Sequence, residues 1–332
     1  MVEMVQTDVL IVGAGLAGLN AARVLKAEGV SAVVVDKGRS VGGRMATRRI
    51  GGGLADHGAQ FFTVRDSEFQ TMLDEWLADG LAFEWSRGWS DGSLAETRDG
   101  HPRYAIRGGM NALAKHLANG LDVRVNFKVE AVAHVDDTWR ITAEGGGMAH
   151  ACAVLLTPPV PQSLALLDSG RVALSDANRR ALEAIKYEPC IAAMIVVDGD
   201  VRLPAPGAIQ RPHAPIYWIG DNRRKGISDV LVLTAQASAM YSQQLWDRTD
   251  EEIASALRVD MLPIIGEQSQ IVEMEIKRWR YAQVINTYGD RFLMADGQPN
   301  LVFAGDAFGG PRVEGAVLSG LAAGRALATA LK

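Results

Sequence analysis

Residues 8–18 read Asp-Val-Leu-Ile-Val-Gly-Ala-Gly-Leu-Ala-Gly, an apolar run that ends in three glycines and opens into a helical pattern. The apolar residues predict a buried strand, after which Gly13 permits a sharp turn. Gly15 carries no Cβ to block a pyrophosphate, and Gly18 lets the following helix pack closely on the strand. The helix N-terminus offers unpaired N–H groups and a positive dipole end to phosphates. The stretch therefore predicts a dinucleotide site, with a purely structural glycine-rich turn as the alternative.

A second apolar run, Ala32–Val35, ends at Asp36, whose carboxylate can accept hydrogen bonds from both hydroxyls of a ribose. Strand, glycine turn, helix, strand and acid thus follow one another within about thirty residues, a pattern far more specific than a glycine triplet alone. The candidate dinucleotide contacts in this stretch are Gly13, Ala14, Gly15, Leu16, Ala17, Gly18, Asp36 and Lys37.

The composition is that of an ordinary globular protein. The 332 residues include 48% apolar and 22% charged residues, and the net charge of −5 offers no basic surface for nucleic acid. No apolar run reaches the roughly 18 residues that a membrane span needs, and residues 1–7 lack the basic cluster of a signal peptide. Cys152 and Cys190 are too few for a disulfide framework and have no metal-ligand spacing around them, so we expect no metal and a reducing cytoplasm. Both lie in apolar stretches, so we expect buried and inert thiols.

Short-range patterns place further elements along the chain. Periodicity and capping residues predict helices at 16–26, 66–77, 110–118, 175–185, 238–246 and 250–262. Apolar or alternating runs predict strands at 190–197, 230–235 and 270–281, with several short strands between 123 and 156. Near the C-terminus, a strand at 301–304 is followed by Gly305-Asp306 and by a helix rich in small residues at 313–331. The dinucleotide pattern therefore returns at the far end of the chain.

The order of these motifs predicts an α/β protein with a discontinuous nucleotide-binding domain. That domain is expected to comprise residues 1–62, 105–160 and 290–332. An α+β substrate domain, with a mixed or antiparallel sheet and helices, is expected at 63–104 and 161–289. A continuous division into two domains is the alternative.

Four signatures taken together resemble the flavoprotein oxidoreductases of the glutathione-reductase-like fold, in the monoamine oxidase and phytoene desaturase branch. They are the Gly13-Gly15-Gly18 turn, Asp36, the Gly42-Gly43-Arg44 turn, and Gly305-Asp306 with Glu314-Gly315-Ala316. The resemblance implies a Rossmann FAD-binding domain, in which the first turn and acid hold the ADP half of FAD. It also implies that the last helix points its N-terminus at the flavin and stabilises negative charge there.

The same resemblance implies individual roles along the chain. Arg44 would face the diphosphate, Asp306 would accept from the ribityl chain or a phosphate-bound water, and Val129 would contact adenine through its backbone. The further cofactor contacts that the resemblance implies are Gly43, Arg44, Ala59, Gln60, Val129, Thr157, Gly305, Asp306, Arg312, Val313 and Glu314.

Finer motifs resemble the renalase family over nearly the whole chain. They are the Asp-His-Gly-Ala-Gln-Phe-Phe run at 56–62 and the stretches at 109–113, 277–281 and 312–316. This resemblance implies non-covalent FAD and oxidation of 2- or 6-dihydro isomers of NAD(P) to NAD(P)+. Hydride would pass to flavin N5, and O2 would be reduced to hydrogen peroxide. A C-terminal thioether link to FAD is excluded, because the last third of the chain has no cysteine.

Hydride transfer from a dihydropyridine needs no acid or base, so catalysis would consist mainly of positioning and exclusion of water. The candidate catalytic residues are His57, Gln60, Lys277 and Trp279, and the candidate substrate-pocket residues are Phe61, Phe62, Cys190, Asn222, Arg223 and Tyr281. Each has a structural alternative. Gln60 could belong to a buried polar turn, and His57 and Trp279 could be ordinary core residues.

Two positions leave the substrate open. Bacterial renalases commonly have histidine where this chain has Lys277, which could act near the flavin or point to solvent. The basic loop at 222–225 could meet the phosphates of a dinucleotide substrate or form a solvated turn.

Two further functions fit the same motifs. The first is an amine oxidase or desaturase of this fold, since amine oxidases usually place a lysine beside flavin N5 and Lys277 keeps that option open. The second is a non-catalytic binding protein, as in the Rab GDP-dissociation inhibitors. The presence of Asp36, Arg44 and Asp306 argues against the second. The expected partners are therefore a small-molecule substrate and O2, without nucleic acid or membrane.

Overall fold

The computed structural model describes residues 4–93 and 99–332, which divide into two compact units. The first unit comprises Met1–Gly43, Leu113–Lys186 and Val284–Lys332, and the second comprises Arg44–Ala112 and Tyr187–Gln283. Within the described residues, no helix is long and apolar enough to cross a membrane.

The strands, in chain order, are β1 (Met4–Val12), β2 (Ala32–Val35), β3 (Thr47–Ile50), β4 (Gly53–Asp56), β5 (Ala82–Ser86), β6 (Arg103–Ile106), β7 (Asp122–Arg124), β8 (Val129–Val135), β9 (Thr138–Ala143), β10 (Met148–Leu156), β11 (Lys186–Asp198), β12 (Ala208–Gln210), β13 (Ile216–Asp221), β14 (Val232–Ala237), β15 (Gln270–Asn286), β16 (Leu293–Met294) and β17 (Leu301–Phe303). The α-helices are α1 (Leu16–Ala27), α2 (Ser67–Ala78), α3 (Asn111–Ala118), α4 (Val160–Ser169), α5 (Asp176–Glu183), α6 (Ala239–Leu245), α7 (Asp250–Met261) and α8 (Arg312–Ala330).

The sheet of the first unit is mainly parallel. Its strand order is β16-β17-β10-β1-β2-β7, with β9 beside β10 and β8 beside β9. Val12 lies opposite both Leu156 and Val35, and Leu156 lies opposite Phe303. Because these strands run parallel and end in register, β1, β2, β10 and β17 present their carboxyl ends at one edge, here called the carboxyl edge.

Helices α1 and α8 pack against each other in the first unit. A Cβ placed on Gly320 of α8 would lie 2.2 Å from the carbonyl oxygen of Ala17 in α1. Only a residue without a side chain permits such an approach. The small residues that predict the last helix therefore serve to bring it against the helix of the glycine turn.

The sheet of the second unit has the strand order β12-β13-β14-β11-β15, and its β12–β13, β13–β14 and β14–β11 pairs are antiparallel. One face packs against α7, where Ile253 and Leu257 join Ile195 and Leu233 in a buried core. Another buried cluster joins the β3–β4 hairpin to this sheet through its apolar side chains, which are Ile50, Ala55, Met194, Val196 and Val232. This packing explains why the hairpin belongs to the second unit.

The compact units differ from the predicted domains in four segments, which are 44–62, 105–112, 161–186 and 284–289. Residues 44–62 and 105–112 lie in the second unit, because the β3–β4 hairpin packs on β14 and β11. Residues 161–186 lie in the first unit, where α4 packs on β8 and Arg179 of α5 pairs with Asp168 of α4. The order of motifs places the predicted boundaries near these positions, but it contains no information on this packing.

The parallel sheet with its helices and the antiparallel sheet beside further helices confirm the predicted α/β class. The helices at 66–77 and 175–185 are confirmed, and Asp66 and Ser175 cap them as expected. Sequence reasoning missed α4, which begins directly after Pro159 and carries a proline in its first turn. Proline is tolerated there because the N–H groups of the first turn have no partner within the helix.

Candidate functional site

The first unit brings its candidate cofactor residues to the carboxyl edge. Gly13 follows β1, Asp36 follows β2, Thr157 follows β10, and the Gly305-Asp306 pair comes just after β17. Ligands of open α/β sheets bind outside the carboxyl ends of the strands. These four candidate positions, which are far apart in the sequence, therefore lie at the edge where a dinucleotide is expected to bind.

The glycine turn has the geometry of a phosphate cradle. Gly13 has a φ of 106°, a conformation that favours glycine, and its N–H donates to Val35 O at 2.8 Å. A Cβ on Gly18 would lie 2.0 Å from Gly13 O, whereas a Cβ on Gly15 would meet no atom within 4 Å. Within the described chain, no side chain caps the start of α1. The residues present therefore fit a pyrophosphate held against the helix N-terminus.

Asp36 fixes this turn. Its Oδ2 accepts from the N–H of Ala14 at 2.8 Å, and its Oδ1 accepts from the N–H of Gly38 at 2.7 Å. Each carboxylate oxygen keeps a further lone pair for a ribose hydroxyl. Lys37, by contrast, is exposed, and its ammonium lies 3.4 Å from Gln162 Oε1.

The remaining candidates of the first unit stand near the same strand ends. The hydroxyl of Thr157 donates to Val12 O at 2.8 Å, and the N–H of Gly305 donates to the buried Ser319 Oγ at 2.8 Å. Asp306 is half-buried just beyond Gly305. The other predicted contacts lie at element starts: Val129 begins β8, while Arg312, Val313 and Glu314 form the first turn of α8.

In the second unit, the candidate residues centre on the run from Asp56, the last residue of β4, to Gln60, here called segment 56–60. Four side chains from other parts of the unit hold its main-chain carbonyls: Thr234 Oγ1 to Asp56 O at 2.8 Å, Trp279 Nε1 to His57 O at 2.9 Å, Gln236 Nε2 to Gly58 O at 2.7 Å and Lys225 Nζ to Gln60 O at 2.5 Å. The segment, whose residues 57–60 lie outside helices and strands, is thereby fixed by side-chain donors. Such support is what a site needs to hold a ligand in one geometry.

The side chain of Gln60 is buried and folded back on its own segment. Its amide nitrogen donates to Asp56 O at 2.6 Å and to Gly58 O at 3.1 Å. Both N–H groups are thus used locally, and the carbonyl Oε1 is the end that can serve a ligand as an acceptor. Gln60 therefore belongs to a buried polar turn, which was its structural alternative, and its Oε1 can still accept a hydrogen bond from a ligand.

His57, Trp279 and Lys277 form a stack in the second unit. The rings of His57 and Trp279 lie 5.4 Å apart at 21°, and the ammonium of Lys277 lies 5.2 Å from the Trp279 ring centre. Burial, and then the charges of Lys277 and Arg48, lower the pKa of His57 to about 4, so its imidazole is neutral at pH 7. Lys277 is half-buried along this aromatic wall, which differs from a lysine pointing freely to solvent.

The predicted pocket aromatics divide into two groups. Phe61 is half-buried and packs against Trp89 and Trp218, with ring centres 5.0 and 5.5 Å away. Phe62 is buried against Phe69, with ring centres 5.7 Å apart, and belongs to the core.

Two further candidates, Tyr281 and Cys190, lie in β15 and β11, and a third, Ala59, lies in segment 56–60. The ring of Tyr281 packs edge-on against Tyr187 at 5.5 Å, and Arg44 Nη1 lies 3.4 Å from the carbonyl of Tyr281. Burial raises the pKa of the Cys190 thiol to about 12, which agrees with the expected inert thiol. The expectation that Cys152 is also buried is wrong, because this cysteine is exposed. Ala59 is held by its N–H, which donates to Arg44 O at 2.9 Å.

The basic loop differs from its expectation at two of its four positions. Asn222 is 1% exposed, and its side chain accepts from Asp56 N–H and donates to Val232 O and Thr234 Oγ1. It therefore has no free donor for a substrate phosphate. Lys225 is 2% exposed, whereas Arg223 is exposed as a solvated turn requires. Sequence reasoning missed the burial of Lys225, because this lysine follows two arginines and precedes a glycine, a pattern that is typical of a surface turn.

Among the described residues, no group of three or more His, Cys, Asp or Glu side chains could hold a metal ion. The polar groups at the carboxyl edge of the first unit are suited to an organic ligand with phosphates.

Comparisons with known proteins agree with this chemistry. Residues 88–328 match the model of the flavin containing amine oxidoreductase family, and residues 11–76 match that of an NAD(P)-binding Rossmann-like domain. Renalase from Mus musculus is 24% identical to the chain, in an alignment that covers 94% of this chain and 96% of renalase. Putrescine oxidase from Kocuria rosea is 37% identical over 71 residues, which are 21% of this chain and 15% of that enzyme.

Solved structures agree on the fold. Putrescine oxidase bound to putrescine superposes with a TM-score of 0.72 at 18% identity, covering 97% of this chain and 99% of that one. A putative protoporphyrinogen oxidase from Exiguobacterium sp. 255-15 gives 0.73 at 15% identity, covering 99% and 100%. The carboxyl-edge cradle, the full-length similarity to renalase and the family match together show that FAD is the cofactor. The chain thus belongs to the flavin-containing amine oxidoreductase family and is a renalase-like, FAD-dependent oxidoreductase.

Proposed function

We propose that the protein oxidises 2- or 6-dihydro isomers of NAD(P) to NAD(P)+, with O2 as electron acceptor. The observation that carries the proposal is the stack of neutral His57 on Trp279 beneath the Lys277 ammonium. Its flat aromatic surface suits a dihydropyridine ring, and its positive charges suit the phosphates of a dinucleotide. The full-length similarity to renalase supports the same substrate class.

FAD, bound without a covalent link, supplies the hydride acceptor and the means of reducing O2 to hydrogen peroxide. We assign its ADP half to the glycine turn and Asp36, and its remaining polar groups to Thr157, Asp306 and the first turn of α8. The uncapped start of α8 would stabilise negative charge on a reduced ring. The chain's own task is then to bind and orient.

Gln60 and Trp279 would orient the substrate. Gln60 Oε1 can accept from the carboxamide NH2 of a nicotinamide, because the amide nitrogen of Gln60 is held by its own segment. Trp279 would pack on the ring, and its N–H bond to His57 O keeps the indole in place. No proton need be removed from a dihydropyridine, so a histidine of lowered pKa is compatible with the reaction.

Amine oxidation is the second candidate, favoured by the family match and by the lysine at 277. A protonated amine is a cation, however, and Lys277 and Arg48 are the two charged groups whose positive charge lowers the pKa of His57. The ammonium of Lys277 would repel such a substrate and attract a dinucleotide, whereas the charge of Arg48 is paired with Glu275 Oε2 at 2.7 Å.

The two candidates are separated by anaerobic stopped-flow mixing of the yellow protein with each substrate class. The proposal expects loss of flavin absorbance with 2- or 6-dihydro-NAD within seconds, and little with putrescine-like amines. Lys277→Met should raise KM for the dinucleotide several-fold, through loss of one nearby positive charge. Absence of flavin bleaching by every dihydronicotinamide isomer would refute the proposal. Amine-dependent peroxide formation that disappears in Lys277→Met would establish the second candidate instead.

A further inference from the structure

The ion pair formed by Lys225 and Asp56 is buried in the second unit. The exposed fraction of the side chain is 1% for Lys225 and 0% for Asp56, and Nζ lies 2.6 Å from Oδ2. Removing two such charges from water is costly, and a well-packed apolar pair often replaces a buried ion pair without loss of stability. Stability of the fold therefore does not explain why charges occupy this place.

The bonds of Lys225 are directed at segment 56–60. Besides its bond to Asp56, the ammonium donates to the main-chain carbonyl of Gln60 at 2.5 Å, and the ring centre of Trp85 lies 4.9 Å from Nζ. An ammonium has three N–H donors, which two hydrogen bonds and one ring contact can all employ. An apolar side chain of the same length would fill the space and leave the Gln60 carbonyl without this donor.

Asp56 extends the network to further elements. Its Oδ1 accepts from the hydroxyl of Thr47 at 2.5 Å and from the N–H of Met110 at 2.8 Å. The loop that carries Lys225 is itself braced, because Asp221 Oδ1 accepts from two main-chain N–H groups of that loop. Lys225 thus joins a fixed loop to a fixed carboxylate. Its two hydrogen bonds reach the first and last residues of segment 56–60, which contains the candidate substrate residues.

We propose that Lys225 is a positioning residue for substrate oxidation, which holds Gln60 and His57 in place through the Gln60 carbonyl and the Asp56 carboxylate. The inference rests on the proposed function, in which Gln60 and His57 contact the substrate. Lys225 itself contacts neither substrate nor cofactor in this proposal; it acts through segment 56–60.

Two measurements on the holoenzyme test the role. The first is hydrogen exchange, followed by mass spectrometry, of peptides covering residues 54–62. The second is the separate determination of kcat and KM with whichever substrate the wild type oxidises. The variants are Lys225→Met and the charge-free Lys225→Met/Asp56→Asn, and the control is Lys332→Met, which removes an exposed lysine paired with Glu28.

We expect both variants to exchange about tenfold or more faster in 54–62, with the rest of the second unit unchanged. We expect kcat to fall about 10- to 100-fold, as for a small misplacement of reacting groups, while KM changes less than about threefold. The control should match the wild type in both measurements.

Wild-type exchange or wild-type kcat in the double variant, which leaves no unpaired charge, would overturn the proposal. Loss of folding in both variants would overturn it as well, because the pair would then serve the whole unit and not the segment. The exchange measurement needs no substrate. A wild type that oxidises no dihydronicotinamide isomer therefore refutes the proposed function, and the exchange data still decide the role of Lys225.

Discussion

The carboxylate of Asp36 offers a sharp test of the dinucleotide site. In Asp36→Asn, one acceptor oxygen becomes an NH2 group, which faces a main-chain donor and cannot bond to it. Of the bonds from Ala14 N–H at 2.8 Å and Gly38 N–H at 2.7 Å, only one can survive. A hydrogen bond to a charged group contributes about 1.5–3 kcal/mol. We expect the free energy of FAD binding to become less favourable by this amount, because the variant lacks one of the two bonds that hold the turn in its binding geometry. Since about 1.4 kcal/mol is tenfold, Kd for FAD should rise about 10- to 150-fold.

The assay is titration of the apoprotein with FAD, followed by flavin fluorescence. Asp8→Asn is a matched control, because Asp8 Oδ2 also accepts two hydrogen bonds, from Ser31 N–H at 2.9 Å and Ser31 Oγ at 2.7 Å. Ser31 precedes β2, at the end opposite to Asp36, so this control should change Kd less than about twofold. An Asp36→Asn protein that binds FAD as tightly as the wild type would refute the assignment of Asp36 to the cofactor site.

Three further predictions concern the second unit. Trp279→Phe keeps a ring but removes the donor to His57 O. Loss of about 1 kcal/mol should lower kcat/KM about fivefold in steady-state assays. An unchanged kcat/KM would show that Trp279 does not belong to the site. The pKa of His57 falls from about 6.5 unfolded to about 4 folded, so only the unfolded state gains this proton between those values and stability falls as pH drops. Urea unfolding of the wild type should therefore lose about 2 kcal/mol more than that of His57→Gln between pH 7.5 and pH 5, and equal losses would contradict the lowered pKa. Iodoacetamide at pH 8 should label exposed Cys152 within minutes and buried Cys190 only after unfolding, and mass spectrometry that found Cys190 labelled in the folded protein would contradict its raised pKa.

Local signals in the sequence are sufficient for the elements that create the cofactor site. The glycine turn and the apolar run before it are continuous in the sequence, and Asp36, which bonds to Ala14 across 22 residues, follows the next strand of the same strand–helix–strand unit. The same holds for helices with clear caps, such as α5 after Ser175. These features could be predicted because the interactions that fix them lie within one helix turn or within one strand–helix–strand unit.

The β3–β4 hairpin could not be predicted in this way. Strand β3 contains two arginines, and its strand conformation depends on pairing with β4 and on packing of Ile50 against Val196 of β11. Strand preference is set largely by such neighbours, which are distant in sequence. The division between the compact units near residue 44 depends on the same packing between segments distant in sequence.

The burial of Lys225 was equally hidden. Its sequence neighbours are arginines and glycine, which indicate a solvated turn, whereas its partner Asp56 lies far earlier in the chain. A lysine is almost never fully buried unless it is paired, so the sequence expectation followed the usual case. Only the fold brings the carboxylate that makes the exception possible.

The raised pKa of Cys190 has a consequence for the proposed reaction, in which hydrogen peroxide is a product. Peroxide attacks the thiolate, and a thiol with a pKa of about 12 is ionised at pH 7 in only about one molecule in 10⁵. Its sulfur also lies 3.6 Å from the carbonyls of Ile191 and Ala237, a setting that disfavours negative charge. Cys190 would therefore remain in the sheet of the second unit through many turnovers of the proposed reaction without conversion to the sulfenic acid. Hydrogen peroxide formed in that reaction would not inactivate the protein through this residue.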